Sequence, residues 1–244
     1  LKEDLFDLLV LGGGYAPMAM TSHVRKMVDL GHRFEVPVYP CISQSAMRDD
    51  FGSIEAWRGA AMNIWHTGAD GVYTFNRFPQ EPDDLFSQLG DIDTLEGRDK
   101  IYGVDTIPVS LGSLGIYKPG LVLPDRLPIA LRPSATTFIK LPVGEDIVAN
   151  SPQGQKPNVK LQFRIANVLA GDAIAVKVNG SQLPTGEWDK PPPKEPATRW
   201  FRAQPDRATI KAGTNRVEIR LVGESRADRP TANLVALTMP VRYE

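Results

Sequence analysis

Two textures meet near residue 105, and the junction limits the folds open to the chain. Before it, apolar runs of strand character alternate with stretches of helical spacing. After it, Pro108, Gly112, Gly115, Pro119, Gly120, Pro124 and Pro128 break any helical period, and only short β-type runs follow. Strands alternating with helices read as a parallel α/β unit, whereas strands punctuated by turns read as antiparallel. The expected fold class is therefore α/β plus all-β: an α/β segment over 1–105, a linker over 106–130 and an antiparallel β-sandwich, jelly-roll or Ig-like, over 131–244.

In the first segment, Leu5 to Leu11 is an apolar run ending in Gly12-Gly13-Gly14-Tyr15, a buried strand entering a loop. Val24, Met27 and Val28 recur at helical spacing between Thr21 and Leu30, and Gly31 offers a stop. Phe34 to Ile42 is a second strand, made irregular by Pro37 and Pro40, which remove ladder donors. From Ser53 to His66, Ile54, Trp57, Ala60, Ala61 and Ile64 form one stripe, with Ser53 as N-cap and Gly68 as terminator. Gly71 to Phe78 is a third strand, Asp83 to Leu89 a short helix, and Ile101 to Val104 a weak strand candidate. Three strands joined by two helices imply parallel pairing through right-handed crossovers.

The second half offers seven β-type runs, at Thr136–Leu141, Val159–Ile165, Ala173–Val178, Thr198–Ala203, Ala208–Lys211, Arg216–Val222 and Leu234–Tyr243. Alternation from Val159 to Ile165 buries one face and wets the other. Asn179-Gly180 and Gly213-Thr214-Asn215 supply tight turns. The proline-rich stretch from Glu187 to Pro196 reads as an exposed loop, beside which Trp188 is the aromatic platform to test if the sandwich binds glycans.

Charge and cysteine content exclude several classes. The 28 basic and 29 acidic side chains nearly cancel, so no net field favours nucleic acid or an anionic membrane. Cys41 is the single cysteine, which rules out an internal disulfide and any multi-cysteine metal site. His23, His32 and His66 have no carboxylate at metal-ligand spacing, so neither metal nor cofactor is expected. Gly12-Gly13-Gly14 fails the dinucleotide spacing. Ser43 and Ser45 lack the nucleophile-elbow motif of an acyl hydrolase. No apolar run approaches the roughly 20 residues that span a bilayer. The chain opens on Leu1-Lys2-Glu3-Asp4, neither a signal peptide nor an initiating Met, so the start is expected upstream and localisation is left open, with export one arrangement.

The stretch from Trp57 to Asn76, a helix reading A-A-M-N followed by Gly68-Ala69-Asp70-Gly71 and then Tyr73-Thr74-Phe75-Asn76, resembles the last helix-strand unit of glycoside-hydrolase-like (β/α)8 barrels. The resemblance implies a partial TIM-barrel-like segment of about three βα units, with Leu5–Leu11, Val36–Ile42 and Val72–Asn76 as its sixth to eighth strands. Such barrels place chemistry at the carboxyl ends of their strands. The substrate-binding candidates are then Tyr15, Tyr39, Gln44, Asn76 and Arg77, with Ser43 beside them. They combine aromatic faces with the amide and hydroxyl groups that sugars require. Hydrolysis needs two carboxyl groups flanking the bond, and no strand end here carries one. Asp49, Asp50 and Glu81 lie in nearby loops, and Asp83 and Asp84 read as helix N-terminal charge. The catalytic residues stay unassigned, expected upstream. Three strands cannot close a barrel, so self-association through an open sheet edge is also expected.

The pattern Val176-Lys177-Val178-Asn179-Gly180 followed by Ile210-Lys211-Ala212-Gly213-Thr214-Asn215-Arg216-Val217 is similar to galactose-binding-like jelly rolls appended to glycosidases. Together the resemblances imply a glycoside-hydrolase-like protein acting on or binding carbohydrate. The alternative is a non-catalytic carbohydrate-binding or structural module.

Overall fold

The computed structural model describes residues 5–12, 21–44, 47, 52–79, 83–104, 127–133, 135–169, 171–187, 197–223 and 230–243. Strands β1 (Leu9–Leu11), β2 (Val38–Ser43) and β3 (Tyr73–Phe75) form a small parallel sheet in that order. Its register sets Leu9 beside Val38 and Cys41 beside Tyr73. Helix α1 (Thr21–His32) joins the first two strands and α2 (Ile54–Trp65) the next two. Because side chains alternate across a strand, Val38 and Ile42 of β2 point into a core shared with Val28 of α1 and Ala60 of α2. On the opposite face Val10, Tyr73 and Phe75 are exposed, whereas Cys41 is half-buried and Ser43 buried.

This sheet is a minor part of the molecule, and the expected partial barrel does not form. Helix α3 (Leu85–Leu89) has only five residues. The strand after it, β4 (Lys100–Val104), leaves the parallel sheet altogether and pairs antiparallel with β14 (Ala232–Tyr243). The α/β plus all-β class is corrected accordingly: the fold is mostly β, in several antiparallel sheets, with three short helices among the described residues. Helical and strand spacing are local signals, whereas the partner that a strand such as Ile101–Val104 selects is set by residues more than a hundred positions away.

The remaining strands are β5 (Ile129–Leu131), β6 (Thr136–Val143), β7 (Pro157–Val159), β8 (Leu161–Val168), β9 (Ala173–Val178), β10 (Ser181–Leu183), β11 (Thr185–Glu187), β12 (Ala197–Ala203) and β13 (Gly213–Val222). One sheet runs β10-β9-β13-β6; the other runs β11-β12-β8-β14-β4, with β5 and β7 also on β14. Inward residues of both, such as Leu141 and Ile219 against Phe163 and Leu237, belong to one apolar core. The stretch Ala208–Lys211 is no strand: Arg207–Thr209 is a 3-10 turn, started by the Asp206 carboxylate accepting from the Ala208 N–H at 3.0 Å. At the β9–β10 turn, Asn179 and Gly180 take φ of 49° and 88°, the positive values that a tight hairpin needs. The Asn179 amide also donates to the buried Asn215 at 2.8 Å, tying this turn to the start of β13.

Helix α2 joins the two parts. Ser53 caps it through Oγ, which accepts from the Ala56 N–H at 3.4 Å, and Gly68, at φ +86°, lies just past its end. It is buried on nearly every side, including Gly59 to Ile64 without interruption. A Cβ at Gly59 would come within 2.1 Å of the Ile101 carbonyl oxygen, and one at Gly144 within 2.2 Å of the Met62 carbonyl oxygen. Glycine at both positions lets the helix backbone press directly on β4 and on the residue after β6. Arg242 of β14 reinforces the junction by donating to Glu55 and to Asp99, each at 3.0 Å.

A buried ionic cluster lies close by. Lys100 Nζ donates to Glu145 Oε2 at 3.1 Å, and Tyr102 Oη to Glu145 Oε1 at 2.6 Å, with both side chains of the ion pair fully enclosed. Burial pulls the Lys100 amine below its ordinary pKa, opposed by the neighbouring Glu145 charge. The same burial and charge push the Tyr102 phenol well up. Breaking such a pair by removing one partner costs about 3–5 kcal/mol, because a lone charge is left in a dry site.

The Gly59 contact makes a direct prediction. Gly59→Ala should lower stability by about 1–3 kcal/mol in urea unfolding, the cost of overpacking a closed contact. An unchanged midpoint would show that helix and strand do not touch there.

Candidate functional site

At the carboxyl ends of β2 and β3 lies a cleft of about 320 Å³, lined by Gln44, Ile54, Trp57, Asn76, Arg77 and Phe78 together with Gly52 and Pro79. Each strand end is held by backbone pairing. The Gln44 N–H, one residue past β2, donates to the Phe75 carbonyl of β3 at 3.0 Å. Asn76 then turns the chain in a left-handed conformation, φ 54°, which asparagine tolerates better than most residues. That turn sets Arg77 inward and leaves Phe78 on the rim, 83% exposed.

Arg77 is the most constrained group here, its side chain only 7% exposed. Its Nη2 pairs with Asp83 Oδ2, while the guanidinium carbon lies 5.5 Å from the Trp57 ring and 5.1 Å from the Phe86 ring. Two aromatic faces and one carboxylate therefore fix its plane. The other terminal nitrogen, Nη1, is buried and has no hydrogen-bond partner among the described residues. Asp83 also accepts from the N–H of Leu85, the first residue of α3, at 3.1 Å, so one carboxylate holds both that N–H and Arg77. The hydrogen bond from Arg77 is the larger influence on its carboxyl and, with the Leu85 N–H, holds it below the ordinary value against the opposing effect of burial.

Three of the residues picked out in the sequence thus meet in one cleft: Gln44, Asn76 and Arg77. Tyr39 does not join them. It lies earlier on β2 and rests half-buried over Gly71, where a Cβ would come within 2.7 Å of its ring. Ser43 is buried at the strand end. Tyr15, Asp49, Asp50, Glu81 and Trp188 lie outside the described residues. Trp57, assigned to the core from its helical stripe, is buried but also forms the floor of the cleft. Phe78 was missed; its signal was an aromatic directly after Asn76-Arg77 with proline following, where no apolar alternation would bury it.

A second cleft, about 410 Å³, lies between the helices and the sandwich, with Arg25, Lys26, Asp29, His66, Pro142 and Thr214 among its walls. Arg25 donates to the His66 carbonyl at 2.8 Å. Burial, and then the Arg25 charge, lower the His66 pKa. Among the described residues no group of three or more His, Cys, Asp or Glu is placed to hold a metal ion. Nor, among them, is any helix long and apolar enough to cross a membrane.

No protein-family model matches the chain, and no curated protein matches it. Among solved structures it is similar to a β-porphyranase of glycoside hydrolase family 86 from the human gut bacterium Bacteroides plebeius, with 12% identity, a TM-score of 0.34, and coverage of 48% of this chain and 19% of that one. It is also similar to a cycloisomaltooligosaccharide glucanotransferase of Paenibacillus sp. complexed with cycloisomaltoheptaose, with 14% identity, a TM-score of 0.28, and coverage of 91% and 31%. The chain thus spans less than a third of either protein's length. Both names are those of carbohydrate-active enzymes, but likenesses at these scores establish neither fold nor activity.

The Arg77–Asp83 pair makes the site's prediction. A carboxyl held low in the folded state contributes stability that is present above its unfolded pKa and lost as pH falls through the folded one. Wild-type stability should therefore fall on acidification below the ordinary carboxylate range, and Asp83→Asn should flatten that limb in thermal melts taken across pH. Identical pH profiles would show that the pair contributes nothing.

Proposed function

We propose that the chain belongs to a carbohydrate-active protein and that the cleft at the ends of β2 and β3 binds sugar. The observation that carries this is the composition of the cleft: an exposed aromatic ring, Phe78, beside two uncharged amides, Gln44 and Asn76, and a rigidly held guanidinium, Arg77. Sugar rings present a C–H face that packs on aromatics and a girdle of hydroxyls that both donate and accept. Amides answer both needs at once.

Binding without hydrolysis by these residues alone is the form we favour. A glycosidase needs one carboxyl with a raised pKa to act as acid. Among the described residues that line the cleft none is acidic, and the carboxyl behind it, Asp83, is shifted the wrong way. The described lining then contributes binding groups, and the carboxylates of a hydrolase would have to come from outside it. Self-association belongs to the same proposal: β1 and β3 are the edges of the parallel sheet, and the exposed face beside them is apolar.

A glycan array followed by affinity electrophoresis tests the reading. The wild-type chain should retain at least one class of oligosaccharide, and Phe78→Ala should weaken retention about tenfold, since aromatic contacts of this kind contribute about 0.5–1.5 kcal/mol beyond the area they bury. It should release no reducing sugar. Retention unaffected by Phe78→Ala would move the site away from this cleft, and hydrolysis by the chain alone would contradict the binding-only form.

A further inference from the structure

Resting on the carbohydrate-active reading for its choice of ligand, we infer that the outer face of the sheet β10-β9-β13-β6 is a second binding surface, which takes acidic polysaccharide bearing carboxylate or sulfate groups. Strand alternation divides these strands sharply. Ile139, Val176, Val217 and Ile219 are buried toward the sandwich core, while Lys140 of β6, Lys177 of β9 and Arg216 and Arg220 of β13 are exposed on the other face. Glu218 is the one carboxylate among the described residues of these strands. Four cations therefore stand with one anion, in a chain whose formal net charge is -1. The excess is segregated onto this face and does not follow from composition. The stretches 105–126, 188–196 and 224–229, which lie outside the described residues, each hold two acidic and two basic side chains, so none brings net negative charge to the sheet.

Strand register is the second observation that points to an anion. Lys140 stands directly opposite Arg216, a like-charge pair of the kind that costs a sheet stability. Glu218, opposite Phe138 on one side and Lys177 on the other, relieves only part of this, its carboxylate meeting Arg216 at 3.4 Å. A carboxylate or sulfate set between such cations turns their repulsion into shared attraction. Arginine grips these groups through two parallel N–H bonds and lysine as a point charge. Neighbouring strands lie about 4.8 Å apart, so cations on successive strands repeat at a spacing comparable with one sugar unit.

The face is less suited to nucleic acid. Its aromatic among the described residues, Phe138, is half exposed, but the Arg216 guanidinium lies over the ring at 4.0 Å. Sequence-tolerant binding of single strands relies on bases stacking on open rings, and this ring is capped. An acidic polysaccharide needs no stack, because its anionic groups and hydroxyls line the edge of each sugar. Thr136, directly opposite Arg220, sets a hydroxyl beside a cation for such an edge.

Isothermal titration calorimetry of the whole chain tests this, with oligogalacturonate, dextran sulfate, neutral dextran and a thymidine oligonucleotide as probes. Both acidic polysaccharides should bind about tenfold or more tightly than the oligonucleotide or the neutral dextran, with affinity that falls as salt is raised. Lys177→Gln combined with Arg220→Gln should weaken that binding about tenfold, the loss of two charge-assisted contacts. Lys156→Gln combined with Lys160→Gln, exposed positions beside β7 that remove the same charge elsewhere, should leave it unchanged, as should Phe78→Ala. Should the first double variant melt below wild type, its two single changes decide, each with about a threefold loss. Equal weakening by the two double variants would overturn the assignment to this face. An oligonucleotide bound as tightly as the polysaccharides would overturn the ligand class. Failure of both acidic polysaccharides to bind, with retention at the cleft still sensitive to Phe78→Ala, would overturn this inference alone, and failure of every glycan would overturn the sugar-binding reading with it.

Discussion

The close approach of helix α2 to strand β4 is the contact on which the rest of the molecule depends. A three-stranded sheet with two three-residue strands has too little buried face to stand alone. Pressing α2 between that sheet and the sandwich gives the helix two partners, and Gly59 and Gly144 remove the side chains that would otherwise hold them apart. The dependence runs both ways. The cleft floor is Trp57 of α2, so the geometry around Arg77 inherits its rigidity from a helix anchored in the sandwich. Arg242, at the far end of the chain, braces the start of the same helix through Glu55.

The individual elements were easier to read than their assembly. The stripe of Ile54, Trp57, Ala60, Ala61 and Ile64 marked α2 clearly, because apolar spacing near 3.6 is a strong local signal. A stripe names the residues of one face and says nothing of the others. Gly59 lies off that stripe and looks like a weak point in a helix, yet a Cβ there would come within 2.1 Å of the Ile101 carbonyl oxygen. Alternating strands and helices in the first segment suggested barrel units, but β4 was drawn into the sandwich by β14, a pairing that no local pattern announces. The three-residue strands β5, β7, β10 and β11 are too short to show alternation, and Asp206 converts an apparent strand into a turn by capping it.

The cleft was partly legible for a different reason. Ligand groups at the carboxyl ends of parallel strands follow from chain direction alone, which holds for an open sheet as well as for a barrel. Gln44, Asn76 and Arg77 accordingly line one cleft, although the described residues form a three-stranded parallel sheet and not a barrel. Tyr39 was not part of the same site because Pro40 to Ser43 carry β2 onward past it before the strand ends. The Arg77–Asp83 pair was hidden by a reasonable assignment: Asp83 lies just before α3, which begins at Leu85, and accepts from the Leu85 N–H, but its carboxylate serves the arginine at the same time.

Helix α2 welds the parallel sheet and the sandwich into one cooperative unit, with the cleft built across its surface. Differential scanning calorimetry of the whole chain tests it most directly. A single transition, with calorimetric and van't Hoff enthalpies equal, is the predicted result. Two separable transitions, or a calorimetric enthalpy well above the van't Hoff value, would show that the halves unfold independently and that the α2–β4 contact does not hold them together.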